Sequence, residues 1–207
     1  MTNASLVFVV DDDDSVRDSI EALLISAGFA VRTFASAMEF LAAATEPSGC
    51  LIADIRMPDM DGLELQQEIV RRGYPISIIV ITGHGDVPLA VRAMKAGAID
   101  FIEKPFDDEF LLSSVRRALD LGHQKQNAAA ETQAALKLLS LLTPRERSVM
   151  EQLVAGRPNK IAAYELGISP RTIEIHRANI MDKLKTRSVA DLVRISLAAK
   201  RADQSSI

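Results

Sequence analysis

The sequence predicts an α/β protein: a (βα)5 domain with a doubly wound parallel sheet, followed by a smaller all-α domain of four helices. Three observations carry this. Short apolar runs at 6–10, 50–53, 76–81 and 99–103 alternate with segments of helical period. From Thr143 onward the pattern changes to helical stretches with no strand-like run between them. Charge divides with the pattern: residues 1–123 carry 20 acidic and 10 basic side chains, whereas residues 141–207 carry 7 and 12.

In the first domain, helices are expected at 16–27, 36–44, 62–72, 87–96 and 108–121, and four of the five strands are delimited by their apolar runs. Gly28, Pro47 with Gly49, Pro58 to Gly62, Gly73 with Pro75, and Gly97 punctuate the turns. Such alternation favours a mostly parallel sheet covered by helices on both faces. The first domain is therefore assigned to residues 1–123, a polar, alanine-rich and partly helical linker to 124–140, and the second domain to 141–207. In the last of these, Thr143-Pro144-Arg145-Glu146 forms a capping box with proline at the first helical position, and Gly156 with Pro158 ends that helix. Asn159 begins a short second helix that stops at Gly167, Ser169-Pro170 begins a third, and Ser188 begins a fourth.

Composition excludes several classes. At 207 residues and 48% hydrophobic content the chain can bury two ordinary cores, and no apolar stretch approaches the roughly 20 residues of a membrane span. The N-terminus lacks a signal-peptide pattern, and the single Cys50 sits in an apolar run, so a cytoplasmic protein with no membrane association is expected. An acidic front joined to a basic back suggests a regulatory or metal-binding unit tethered to one that meets a polyanion.

The chemistry collects at strand ends. Asp11, Asp12, Asp54, Thr82 and Lys104 each follow an apolar run, and the carboxyl ends of parallel strands form the ligand crevice of an open sheet. Paired aspartates in this position are as often a solvated turn as a ligand cluster. Three carboxylates, a hydroxyl and an amine on one rim, with Lys104 followed by Pro105, make a site for a hard cation and a phosphoryl group. Asp13 and Asp14 fit helix-cap residues better than ligands.

With these residues in order, 1–123 resembles the receiver domain of two-component response regulators, through VVDDDDSVR (9–17), DIRMPDMDGLE (54–64), ITGHGDVPLAVRAMKAGAIDF (81–101) and IEKPF (102–106). The resemblance implies that Asp54 is the phosphoacceptor. It implies that Asp12, Asp54 and the backbone carbonyl of Arg56 ligate Mg²⁺, with Asp11 acting mainly through water. Lys104 and Thr82 would bind phosphoryl oxygens, and Pro105 would aim Lys104 through a cis peptide bond. Phe101 would swing inward with Thr82 on activation, although its periodicity also fits simple core. His84 and Arg56 either shape water access to the phosphoaspartate or are merely solvated. A pairing surface around Val91, Met94, Lys95, Ile99 and Asp100 is likewise implied by the resemblance.

The segment 142–197 resembles the LuxR/FixJ class of helix-turn-helix domains, through LTPRERSVMEQLVAGRPNK, ELGISPRTIEIHRANIMDKLKTRS and ADLVRISL. Periodicity places Ile173, Ile180 and Leu184 in the core of a recognition helix from Pro170 to about Leu184. By resemblance Glu174, Ile175 and Ala178 face base edges. Asn159, Lys160, Arg171, Arg177, Lys183, Lys185 and Arg187 contact phosphates, and Thr172 either. His176 has no partner His or Cys at ligand spacing, which favours a structural or phosphate role over metal binding. Ile161-Ala162 departs from the usual small or polar residue followed by a larger apolar one, which puts packing of the second helix in question.

End to end, the chain is similar to FixJ-type regulators. The implied partners are a sensor histidine kinase, double-stranded promoter DNA, RNA polymerase and a second copy on phosphorylation, the whole activating transcription. Two other readings fit the residues less well. A phosphohydrolase of the haloacid-dehalogenase kind needs a second carboxylate two residues after its nucleophile, where this chain has Arg56. An RNA-binding antiterminator is disfavoured by the Ser169 cap and the basic flanks. An enzyme is therefore not expected.

Overall fold

The computed structural model describes residues 6–45, 47–83 and 87–204; His84 lies outside them. The chain divides into two compact units, with the boundary between Gln126 and Asn127.

The first unit is a five-stranded parallel sheet in the order β2-β1-β3-β4-β5. The strands are β1 (Leu6–Val10), β2 (Ala30–Phe34), β3 (Gly49–Asp54), β4 (Ile76–Thr82) and β5 (Asp100–Glu103). Between and after them lie α1 (Asp14–Ser26), α2 (Ala37–Ala43), α3 (Gly62–Arg72), α4 (Val87–Lys95) and α5 (Asp108–Leu139). Strand residues alternate between two cores, because successive side chains leave opposite faces of a sheet. Val7, Val9, Cys50, Ile52, Ile79 and Ile81 pack with Ile20 and Leu24 of α1 and Leu111 and Val115 of α5. Phe8, Val10, Leu51, Ala53, Ile78 and Val80 pack with Phe40 of α2, Leu65 and Ile69 of α3, and Ala93 of α4. The strand that no apolar run had delimited is β2, of sequence AVRTF. It is an edge strand in which only Phe34 is buried, so its composition lacks the double-sided apolar signal of the central strands. Asp13 caps α1 by accepting from the amides of Ser15 and Val16, which starts that helix two residues earlier than its periodicity suggests.

The second unit contains α6 (Pro144–Val154), α7 (Asn159–Leu166), α8 (Pro170–Lys183) and α9 (Val189–Gln204). Val149, Leu153, Ala162, Ile173, Ile180, Leu184 and Leu192 form its core. Ala162 is fully buried while Ile161 is half exposed, so α7 packs closely through the smaller residue. Thr143 and Ser169 cap α6 and α8, and Gly167 ends α7 in the left-handed region at φ 65.

Residues 124–139, expected to form a partly helical linker, lie wholly within α5. The stretch is rich in alanine and straight-chain residues, which carry little penalty in a helix. Its last turns also belong to the second unit. The Thr132 hydroxyl donates to the Ala198 carbonyl at 3.1 Å, Arg147 donates to the Leu139 carbonyl at 2.9 Å, and Leu138 and Leu139 pack on the second unit's core.

Candidate functional site

Four of the rim residues meet at the carboxyl edge of the sheet. Asp54 ends β3, Thr82 ends β4, Asp11 follows β1, and Lys104 follows β5. The strand order reverses direction between β1 and β3, the place where a crevice opens beyond the strands. Asp11 and Thr82 are almost fully buried, and Asp54 is 5% exposed. The Lys104 ammonium donates to Asp11 Oδ2 and Asp54 Oδ1, both at 2.7 Å. The remaining oxygen of Asp54, Oδ2, accepts from the Arg56 amide at 2.6 Å. Asp11 is fixed at every polar group: its amide donates to Phe34, its carbonyl accepts from Arg17 at 2.7 Å, and Oδ1 accepts from the Asp13 amide.

Two perturbed ionisations follow from this geometry. Burial raises the Asp11 carboxyl above its ordinary value, against the opposing bonds from Lys104 and the Asp13 amide. Burial lowers the Lys104 ammonium, but its bonds to Asp11 and Asp54 outweigh that and leave it raised. A carboxylate held up by desolvation gains from any further positive charge. The donor set is all oxygen, which suits a hard divalent cation. Among the described residues no three His, Cys, Asp or Glu side chains already converge on one point. Lys104 stands between two of the expected carboxylates, and Asp12 is exposed.

Gly62 explains how α3 starts so close to the phosphoacceptor candidate. A Cβ there would lie 2.2 Å from the Asp54 carbonyl oxygen, and the Gly62 amide donates to Ile55. Phe101 is half-buried against the core that contains α4, and the Lys104–Pro105 bond is cis.

The expected pairing residues divide. Val91, Met94 and Lys95 are exposed on α4. Ile99 packs partly into the α1/α5 core, and the Asp100 carboxylate is held by Ser114 and Arg117, each at 2.5 Å. Ala93 is the one buried residue of α4, and the fully buried Gln66 of α3 donates to its carbonyl at 3.1 Å. Sequence reading passed over Gln66; its place on the apolar face of α3, one position after Leu65 and three before Ile69, was the available signal.

On the second unit, Arg171, Glu174, Ile175 and Ala178 are exposed on α8, as are Lys160, Lys185 and Arg187 on their own segments. Asn159 and Arg177 are half-buried, and the Thr172 hydroxyl pairs with that of Ser169 at 2.8 Å. Lys183, expected to contact a phosphate, has a partner within the protein. Its ammonium is bound at 2.7 Å to Glu146 Oε2, a carboxylate almost fully buried at the start of α6. Lys183 and the Thr143 amide hold the Glu146 carboxyl down at about 2. The capping box revealed Glu146 as a helix-start residue, but no local pattern gives a partner 37 positions away.

Comparison with known proteins places both units. The family described as "Response regulator receiver domain" matches residues 7–116, and that described as "Bacterial regulatory proteins, luxR family" matches residues 140–196. The transcriptional regulatory protein FixJ of Bradyrhizobium diazoefficiens is 46% identical, over 96% of this chain and 98% of its own length. FixJ of Rhizobium meliloti is 49% identical, over 93% and 95%. Among solved structures, the response regulator StyR matches with a TM-score of 0.81 at 45% identity, covering 93% of this chain and 98% of its own. Full-length FixJ from B. japonicum matches with a TM-score of 0.60 at 44% identity, covering 97% and 99%.

Proposed function

The chain belongs to the FixJ-type response regulators, a receiver domain followed by a LuxR-type DNA-binding domain, and we propose that phosphoryl transfer to Asp54 switches it. The donor is a sensor histidine kinase, and the phosphorylated form pairs with a second copy on promoter DNA to recruit RNA polymerase in the cytoplasm. The observation that supports this most is the Lys104 ammonium lying 2.7 Å from both Asp54 and Asp11 at the sheet rim.

Asp54 attacks the phosphorus in line, the phosphorus–nitrogen bond of the phosphohistidine breaks with its electron pair leaving on nitrogen, and an acyl phosphate remains. Lys104 then turns its charge from the two carboxylates to the phosphoryl oxygens, so the amine needed in the product is already in place. Thr82 donates its hydroxyl to the same oxygens, and Phe101 follows it inward. Asp11, Asp12, Asp54 and the Arg56 carbonyl would hold Mg²⁺, which supplies neutralisation of phosphoryl charge. Asp54 is then a switch rather than a turnover nucleophile, consistent with relatives that are transcriptional regulators.

On DNA, Glu174, Ile175 and Ala178 read base edges, while Lys160, Arg171, Lys185 and Arg187, with Asn159 and Arg177 beside them, set affinity and register on phosphates. Val91, Met94 and Lys95 give α4 an exposed face for pairing. With Mg²⁺ and a small acyl phosphate donor, the wild type should gain one acid-stable, base-labile phosphoryl group, and Asp54→Asn none. Undiminished labelling of Asp54→Asn at the same site would reject the assignment.

A further inference from the structure

We propose that Lys183 is a positioning residue, which sets the recognition helix α8 against α6 through Glu146 and does not hold a DNA phosphate; this rests on the DNA-binding reading above. The amino end of α8 is fixed by the Ser169 cap, and the turn before it by Arg145, which donates to the Leu166 carbonyl at 2.5 Å. Between the ends, Ile173 and Ile180 are fully buried in the second unit's core. At the carboxyl end the only side-chain ion pair from α8 to another element, among the described residues, is Lys183 to Glu146.

One oxygen of Glu146 collects three donors. Oε2 takes the Lys183 ammonium at 2.7 Å, the Thr143 amide at 2.8 Å and the Thr143 hydroxyl at 3.0 Å, and the residue is 4% exposed. Moving Lys183 onto a phosphate would strand this buried carboxylate without its counter-charge, a loss larger than an exposed ion pair returns. Lys185, whose side chain is 79% exposed, carries no such obligation; its ion pair to Asp182 is a surface one. The phosphate-binding part at this end of the helix therefore falls to Lys185 and Arg187. Lys183 acts on recognition indirectly, by deciding where Glu174 and Ala178 stand.

The test uses the full-length phosphorylated chain as wild type, Lys183→Met and Glu146→Gln. Glu146→Gln keeps an amide oxygen for the Thr143 cap and removes the charge that holds Lys183. The probes are a duplex selected by the wild type from a random-sequence pool and a scrambled duplex, each across a potassium chloride series. Both variants should lose about tenfold in preference for the selected duplex, one base contact's worth. Their salt dependence on the scrambled duplex should stay that of the wild type. A slope shallower by about 0.9 in Lys183→Met, the signature of one lost phosphate contact, would overturn the proposal whether or not preference changed. Wild-type preference in Glu146→Gln would also overturn it, and this variant decides the matter if Lys183→Met does not fold. Failure of the wild type to show any salt-dependent duplex binding would instead strike the DNA-binding reading itself.

Discussion

Lys185 sits just past α8 with φ at 51, a left-handed conformation that side chains rarely hold without a reason. Glycine would relieve it. Lys185→Gly is expected to stabilise the chain by about 0.5–1 kcal/mol, since the strain exceeds the extra entropy glycine gives up. If Lys185 holds a phosphate as proposed, the same variant should bind non-specific duplex more weakly with a shallower salt dependence. Thermal melting and salt-series titration check both halves, and weaker melting would show that no strain is stored there. The residues of the phosphoacceptor rim were legible in sequence because each ends an apolar strand, and strand ends in a parallel sheet converge. Gln66 and the Glu146 partner of Lys183 were not, since each bond joins two different helices, which no spacing along one helix encodes.

At the scale of elements, β2 and α5 are the places where pattern and structure part. β2 buries only Phe34 and carries Arg32 and Thr33 in its middle, so AVRTF gave no run; α5 continues because nothing in 122–139 stops it, Gly122 included. Gly122 fits where a Cβ would come within 3.3 Å of the Ser77 hydroxyl. The end of α5 packs on the second unit through Thr132, Ala135, Leu138 and Leu139. A fragment beginning at 127 should therefore be more stable than one beginning at 141, by on the order of 2–3 kcal/mol in denaturant unfolding. Equal midpoints would mean that these turns contribute nothing. The tie between α6 and α8 has its own pH signature. Glu146 is held at about 2 from an ordinary 4.5, so its contribution is present above 4.5 and is lost as pH falls toward 2. Full-length Glu146→Gln should lose less stability than the wild type across that window. Asp191, held low by the Ser188 hydroxyl and the Arg187 amide, leaves a residual slope in both.

For the whole molecule, the division of charge matches the division of labour: an acidic unit built around a phosphoacceptor and a basic one built to meet a polyanion. Both were visible in the sequence from composition and motif. What composition cannot carry is coupling, which requires that phosphate stabilise one state of the receiver more than another and that this state favour DNA binding. The most direct measurement is duplex affinity of wild type and Asp54→Asn, each with and without a small acyl phosphate donor and Mg²⁺, on a duplex selected by the phosphorylated wild type. The donor should tighten wild-type binding by about tenfold or more, a coupling in the usual range for two linked sites, and leave Asp54→Asn unchanged. Equal affinity of the wild type with and without donor, with phosphorylation verified on the same sample, would contradict it.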